Sequence, residues 1–270
     1  MRINQNIAAF NSYRNLSNTQ NQLSSSLEKL SSGFRINRAA DDAAGLSKSE
    51  GLRAEVKGTD QAVRNAQDGI SFVQTAEGAL SEVHSILQRM RELAVDAANT
   101  ATTDGSEQQA EVDELAEELT SIGNRTQFAG NQVFADFSAD ALTFHIGANA
   151  GETLTVEDDL SLADTDVFGE DLSAVDLETG ADAAIGIIDG AIDAVSETRS
   201  ELGAKQNRLE HTIANLQVAS ENLSASESRI RDADMAQEMV EFTRNQIMQQ
   251  AGTSMLAQAN QVPQSVLSLL

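Results

Sequence analysis

Three histidines, His84, His145 and His211, are the chain's whole supply of imidazole, and they stand far apart in the sequence. None belongs to a His-Glu-x-x-His pattern, which would set two imidazoles on one helix face with a carboxylate between them as zinc ligands and base. Without cysteine there is no disulfide, no thiolate metal site and no thiol nucleophile. No serine sits in a nucleophile elbow, and no glycine-rich loop is shaped to cradle phosphate. The acidic pairs Glu117-Glu118 and Asp158-Asp159 read as solvated faces rather than dyads sharing a proton, and the acids of 157–171 lack the spacing of a calcium loop. These residues predict no enzyme, no cofactor and no bound metal.

Charge is distributed in a way that does carry information. Residues 1–100 hold 11 acids and 11 bases, residues 101–200 hold 23 acids against Arg125 and Arg199, and residues 201–270 hold eight acids and five bases. The net charge of −24 excludes nucleic acid, whose phosphates need the opposite sign, and the acidic middle suits a wet outer face. The ends are nearly uncharged: only Arg2 and Arg14 fall in the first 27 residues, and no charge follows Arg244. They are rich in Asn, Gln, Ser and Ala, and no window is apolar enough to span a membrane. The first residues, MRINQNIAAFNSY, have no apolar core or small-residue cleavage site of a signal peptide. The chain is expected to stay in the cytoplasm or to leave by a route that removes no N-terminal peptide.

The elements are helices. Aromatics make up 4%, tryptophan is absent and Pro263 is the single proline, so long helices go uninterrupted. Ile188, Val195, Leu202, Leu209, Leu216, Leu223 and Ile230 recur every seventh residue, which predicts a helix over about 181–232 with this row as its core stripe. A second long helix over about 42–99 carries Val56, Val63 and Ile70 in one row and Val73, Leu80, Leu87 and Ala94 in another. A third over about 106–123 has Val112, Leu115, Leu119 and Ile122 as its stripe, with Ser106 and Gln109 as a capping box. Leu142, Phe144 and Ile146 alternate with polar residues before a Gly/Asn loop, predicting a β-hairpin at about 141–157. Residues 157–180 read as an irregular acidic surface loop. The fold class is mostly α: a coiled-coil-like rod of three helices (42–232) with the hairpin, flanked by terminal segments 1–41 and 233–270. Within those segments Leu16, Leu23 and Leu30, and Met248, Met255, Val262 and Leu269, repeat by sevens. Each stripe demands a partner helix, and the uncharged flanks let neighbours cover the rest. These seven residues are the candidate self-assembly surface.

Several stretches together resemble bacterial flagellin, in a short form without outer variable domains. They are Leu30-Ser-Ser-Gly33-Phe-Arg-Ile-Asn37 followed by Asp41-Asp-Ala-Ala-Gly-Leu46, Gln88-Arg-Met-Arg-Glu-Leu-Ala-Val95, Thr126-Gln-Phe128, Ser228-Arg-Ile-Arg-Asp-Ala-Asp234, and the run from Ala259 to Leu270. The resemblance covers about 1–150 and 181–270. It implies a secreted subunit that polymerises helically into the extracellular flagellar filament for swimming, with its terminal helices paired in an inner tube and folding on assembly. It implies export through the flagellum's type III apparatus, capture by an export chaperone, and meetings with filament cap and hook-junction proteins. It also implies contact with the vertebrate toll-like receptor for flagellin, at Arg89, Leu93 and Glu111. A hook–filament junction protein and an oligomeric coiled-coil scaffold are the alternatives.

Overall fold

The computed structural model describes residues 6–99, 105–134, 142–156, 166–167, 170–171, 175–177 and 180–267, with 156, 166–167, 170–171 and 262–267 as backbone only. In chain order the elements are α1 (Ile7–Ser32), α2 (Ala43–Ala97), α3 (Ser106–Arg125), β1 (Gln127–Phe128), β2 (Asn131–Gln132), β3 (Leu142–His145), β4 (Thr153–Val156), β5 (Asp166–Val167), β6 (Glu170–Asp171), α4 (Ala181–Arg231) and α5 (Met235–Leu267). Each pair of strands is a separate antiparallel two-stranded sheet.

The chain divides into two compact units, Lys57–Ser220 and a second made of both ends, Met1–Val56 with Glu221–Leu270. This division falls within both long helices, α2 and α4, rather than at their ends. The reason is local packing: Ile36 is buried, and a Cβ on Gly45 would lie 2.7 Å from its Cδ1, so the start of α2 belongs with the segment after α1.

In the unit Lys57–Ser220, the apolar rows meet as one core. Val73, Leu80, Leu87 and Ala94 of α2, Val112 and Leu119 of α3, and Ile188, Val195 and Leu202 of α4 are all buried in it. Val56, Val63 and Ile70, the other row of α2, are half-buried. Phe72 stands edge-on to Phe128 at 5.9 Å between ring centres and tilted to Phe144 at 5.8 Å, tying the short strands to α2. β3 and β4 pair Phe144 with Leu154, and Leu154 and Ile146 close over Ala66 and Leu209. A Cβ on Gly69 would lie 3.3 Å from Leu209 and 3.5 Å from Phe144, so at that position glycine lets these groups come close to α2.

Two expectations are corrected here. The stretch 157–180 is not wholly a surface loop: β5 and β6 pair within it, and Val175 and Leu177 are buried in the core. Gln109 does not complete a capping box, because Gly105 is the residue that precedes α3 and caps it without a side chain. Its amide instead accepts from the Leu177 N–H at 2.8 Å and donates to the Val175 carbonyl at 3.2 Å. A buried loop backbone needs such partners, and Gln109 supplies them.

In the unit of the two ends, α1 and α5 run antiparallel against each other. Asn6 Nδ2 donates to the Ala259 carbonyl, Leu16 lies against Gly252, Gln249 donates to Gln20, and Lys29 lies 3.9 Å from Glu238, so one helix recedes in sequence as the other advances. Asn6 caps α1 by accepting from the Ala9 N–H, and Asp234 caps α5 by accepting from Ala236 and Gln237.

Candidate functional site

The paired face of α1 is Ala9, Ser12, Leu16, Thr19, Leu23, Ser26 and Leu30, spaced alternately three and four apart and covered in whole or in part. The facing set on α5 is Glu238, Phe242, Asn245, Gln249, Gly252, Leu256 and Ala259, with the same spacing. This is the heptad arrangement of a two-stranded coiled coil, with an unusual occupancy. On α5 the most buried members are Glu238 and Asn245, both polar.

The Glu238 carboxylate is about nine-tenths buried; among the described residues its one ion pair is with Lys29, and its Oε1 has no hydrogen-bond partner. Removing a carboxylate from water costs several kcal/mol unless its partners are good. A polar cleft of about 300 Å³ beside the seam is lined by Gln22, Ser25, Lys29, Glu241 and Arg244, among others.

What the seam lacks in apolar residues appears on the outer faces. Met235, Met239, Val240, Ile247, Met248 and Met255 of α5 point to solvent, with Ile247 61% and Met255 64% exposed. On α1 the same is true of Ile7, Phe10, Tyr13 and Leu27, with Phe10 67% exposed. Leu16, Leu23 and Leu30 thus lie on the seam with α5. Met248 and Met255 lie on the exposed side of α5, away from that seam. A seven-residue repeat fixes that two residues share a helix face but not which face meets the partner. The side chain of Val262 and the whole of Leu269 lie outside the described residues. Sequence reasoning also missed the seam of α5, because its polar members carry no hydrophobic signal.

The long row of α4 splits in the same spirit. Ile188, Val195, Leu202 and Leu209 are buried, whereas Leu216, Leu223 and Ile230 are only half-covered. The residues singled out on α2 and α3 come together in part. Arg89 Nη2 lies 2.9 Å from Glu111 and its Nη1 3.2 Å from Glu92; these bonds, Glu111 first, hold the exposed guanidinium above its ordinary value. Leu93 is buried in the core.

Among the described residues, no group of three His, Cys, Asp or Glu side chains could hold a metal, and no helix is long and apolar enough to cross a membrane. A second cleft, of about 800 Å³, opens between the β3–β4 loop and α4, lined by Glu152, Arg208, His211 and Thr212 among others. Glu152 folds back over the loop, accepting from the Asn149 backbone and side chain, which holds its carboxyl below the usual range.

Comparison with known proteins accounts for the terminal design. The bacterial flagellin N-terminal helical region matches residues 3–139, and the bacterial flagellin C-terminal helical region matches residues 185–270. The chain is 55% identical to a flagellin of Halalkalibacterium halodurans and 48% identical to a flagellin of Bacillus subtilis, each over the full length of both proteins. A Vibrio parahaemolyticus structure assigned as a flagellar hook-associated protein covers 71% of this chain and all of that one, with a TM-score of 0.59 at 16% identity, a likeness of fold alone. Two family regions in order at the two ends, with end-to-end identity above one half, place this chain in the bacterial flagellin family.

Proposed function

We propose that the outward apolar faces of α1 and α5 are the surfaces by which copies of this chain build the flagellar filament. The chain is a structural subunit of that filament, a homopolymer, and its family is not one of enzymes. One observation carries the site assignment: on α5 the polar Glu238, Asn245 and Gln249 face inward while Ile247, Met248 and Met255 face out. In a lone molecule this arrangement is poorly stabilised, since burying one such apolar side chain contributes about 1.5–3 kcal/mol and each ordered residue costs about 1–2 kcal/mol of backbone entropy. Neighbouring copies that cover the outer faces reverse the balance, so the terminal helices complete their folding on assembly. Of the residues proposed from their spacing, Leu16, Leu23 and Leu30 hold the α1–α5 seam, and Met248 and Met255 meet other copies, as do Val262 and Leu269.

The test is direct. Purified chain is heated to monomers, cooled with filament seeds and viewed by electron microscopy; long tubes are expected. Discrete oligomers in their place would support a coiled-coil scaffold, and failure to extend seeds would support a junction protein.

Finer readings follow the family. Export through the flagellar type III apparatus to the cell exterior needs a chain that can be threaded unfolded, and the absence of cysteine suits it. An export chaperone would cover the apolar face of α5 beforehand, and filament cap and hook-junction proteins would meet the two ends of the polymer. For a toll-like receptor, the exposed Arg89–Glu111 pair is the proposed contact. Arg89→Ala and Glu111→Ala monomers are expected to bind such a receptor more weakly; unchanged affinity removes the pair from the contact.

A further inference from the structure

Two motifs nearly 200 residues apart meet at the base of the α1–α5 pair. Gly33, in the left-handed region at φ 75°, ends α1, and its carbonyl accepts from the Ala233 N–H at 2.9 Å. The Arg35 N–H donates to the Arg231 carbonyl at 2.7 Å, so Phe34 and Asp232 form a one-residue antiparallel bridge. The Arg35 guanidinium donates to the Ile230 carbonyl at 2.6 Å, satisfying one of the carbonyls left open where α4 ends. The Arg231 guanidinium lies 4.7 Å over the Phe34 ring, and Ser228 Oγ donates to Asp232 at 2.6 Å. Together these contacts clamp residues 33–35 to residues 228–233.

The apolar residues of the seam above the clamp do not choose its alignment. In the observed register Leu16 meets Gly252, and the same alignment sets Leu23 opposite Asn245 and Leu30 opposite Glu238. Sliding α5 by one heptad would set Leu16 opposite Ala259, Leu23 opposite Gly252 and Leu30 opposite Asn245, so each leucine would again face a small or amide residue. Apolar packing separates the two registers poorly. Sliding the other way would set Leu23 against Glu238, burying a carboxylate with no cation beside it. What the first slip does break is the clamp, the Lys29–Glu238 pair one turn beyond it, and the Gln249–Gln20 and Asn6–Ala259 hydrogen bonds farther along the pair.

We infer that the clamp of Gly33, Phe34 and Arg35 on residues 228–233 sets the register in which the terminal helices pair, with Arg35 as its positioning residue. The inference rests on the α1–α5 pairing, which under the proposed function is completed on assembly. Its test is therefore made on full-length chain grown from filament seeds, with cross-links within one chain read on denaturing gels. Tubes that form with the wrong cross-link overturn the clamp, whereas failure to form tubes at all overturns the polymerisation reading. The chain contains no cysteine, so an introduced pair reports one register. Thr19→Cys with Gln249→Cys bridges the observed alignment, and Ser26→Cys with Gln249→Cys bridges the slipped one. A one-heptad slip moves the helices about 10 Å, beyond what a disulfide spans.

With Arg35 intact, mild oxidation is expected to trap the first pair and not the second. Arg35→Ala removes the guanidinium bond, and its loss should shift the ratio of the two cross-links toward the slipped register by roughly tenfold. Arg35→Pro, which also removes the bridging N–H, should shift it further. If both variants still trap only the first pair, or trap neither, the clamp does not set the register.

Discussion

The unit Lys57–Ser220 and the unit of the two ends are both built from helices with seven-residue apolar rows, yet α5 uses its row in the opposite sense, turned outward. In the first, Leu80, Leu87, Ile188 and Leu202 point inward and are fully buried. In the second, Glu238 and Asn245 point inward while Ile247 and Met255 point out. The first unit carries its own core, and on the proposed reading the second completes its core with other copies. A helix pair with buried polar residues in its seam and apolar residues on its outer face is weakly held by itself, and that outer face is what the proposed function gives to other copies.

The largest break in this contrast is a truncation. Removing residues 245–270 takes away most of α5 and is expected to abolish filament growth, seen by electron microscopy, while the thermal melting of the helical unit by circular dichroism stays where it was. Filaments from the truncated chain would end the assignment. Next come single cavities. Leu87→Ala or Leu202→Ala should each cost about 2–5 kcal/mol in urea unfolding, because both side chains are fully buried. Met255→Ser or Ile247→Ser should leave monomer stability within about 0.5 kcal/mol, yet raise the concentration needed for polymerisation by roughly tenfold. Equal effects on monomer and polymer would erase the difference between the units.

Salt gives a smaller effect. Subunits of net charge −24 repel over longer distances as ionic strength falls, so elongation followed by light scattering should slow in dilute buffer. The smallest effect is a titration shared by both units. The Asp41 carboxylate accepts from the Arg38 and Asn37 N–H groups, and that of Glu152 from Asn149; both are held below their ordinary values. A depressed folded value means the stabilisation is present above the unfolded value and is lost as pH falls through the folded one. Carboxylate NMR titration should place both midpoints on the acid side of the unfolded range, and Glu152→Gln should remove the effect in the hairpin loop alone.

Much of this was readable from spacing. The rows through Val73 and through Ile188 follow from helical periodicity, and the β3–β4 hairpin follows from alternation around a Gly/Asn loop. Other features were not readable, each for a physical reason. Val175 and Leu177 sit in an acidic stretch with no period to betray them, and their burial depends on Gln109 reaching over from α3. Leu93 shows that a residue beside exposed charges can still turn inward, since a helix changes face with each residue.

By itself the sequence determined that the ends are helical, poor in charge and striped with apolar residues, because charge count and heptad spacing are properties of the chain read in order. Only the tertiary structure decided which face of each terminal helix meets its partner. It alone also joined the two motifs at Gly33–Arg35 and Ser228–Ala233. A periodic pattern repeats with every heptad, so it cannot choose its own face or register; long-range hydrogen bonds and ion pairs, which occur once, can.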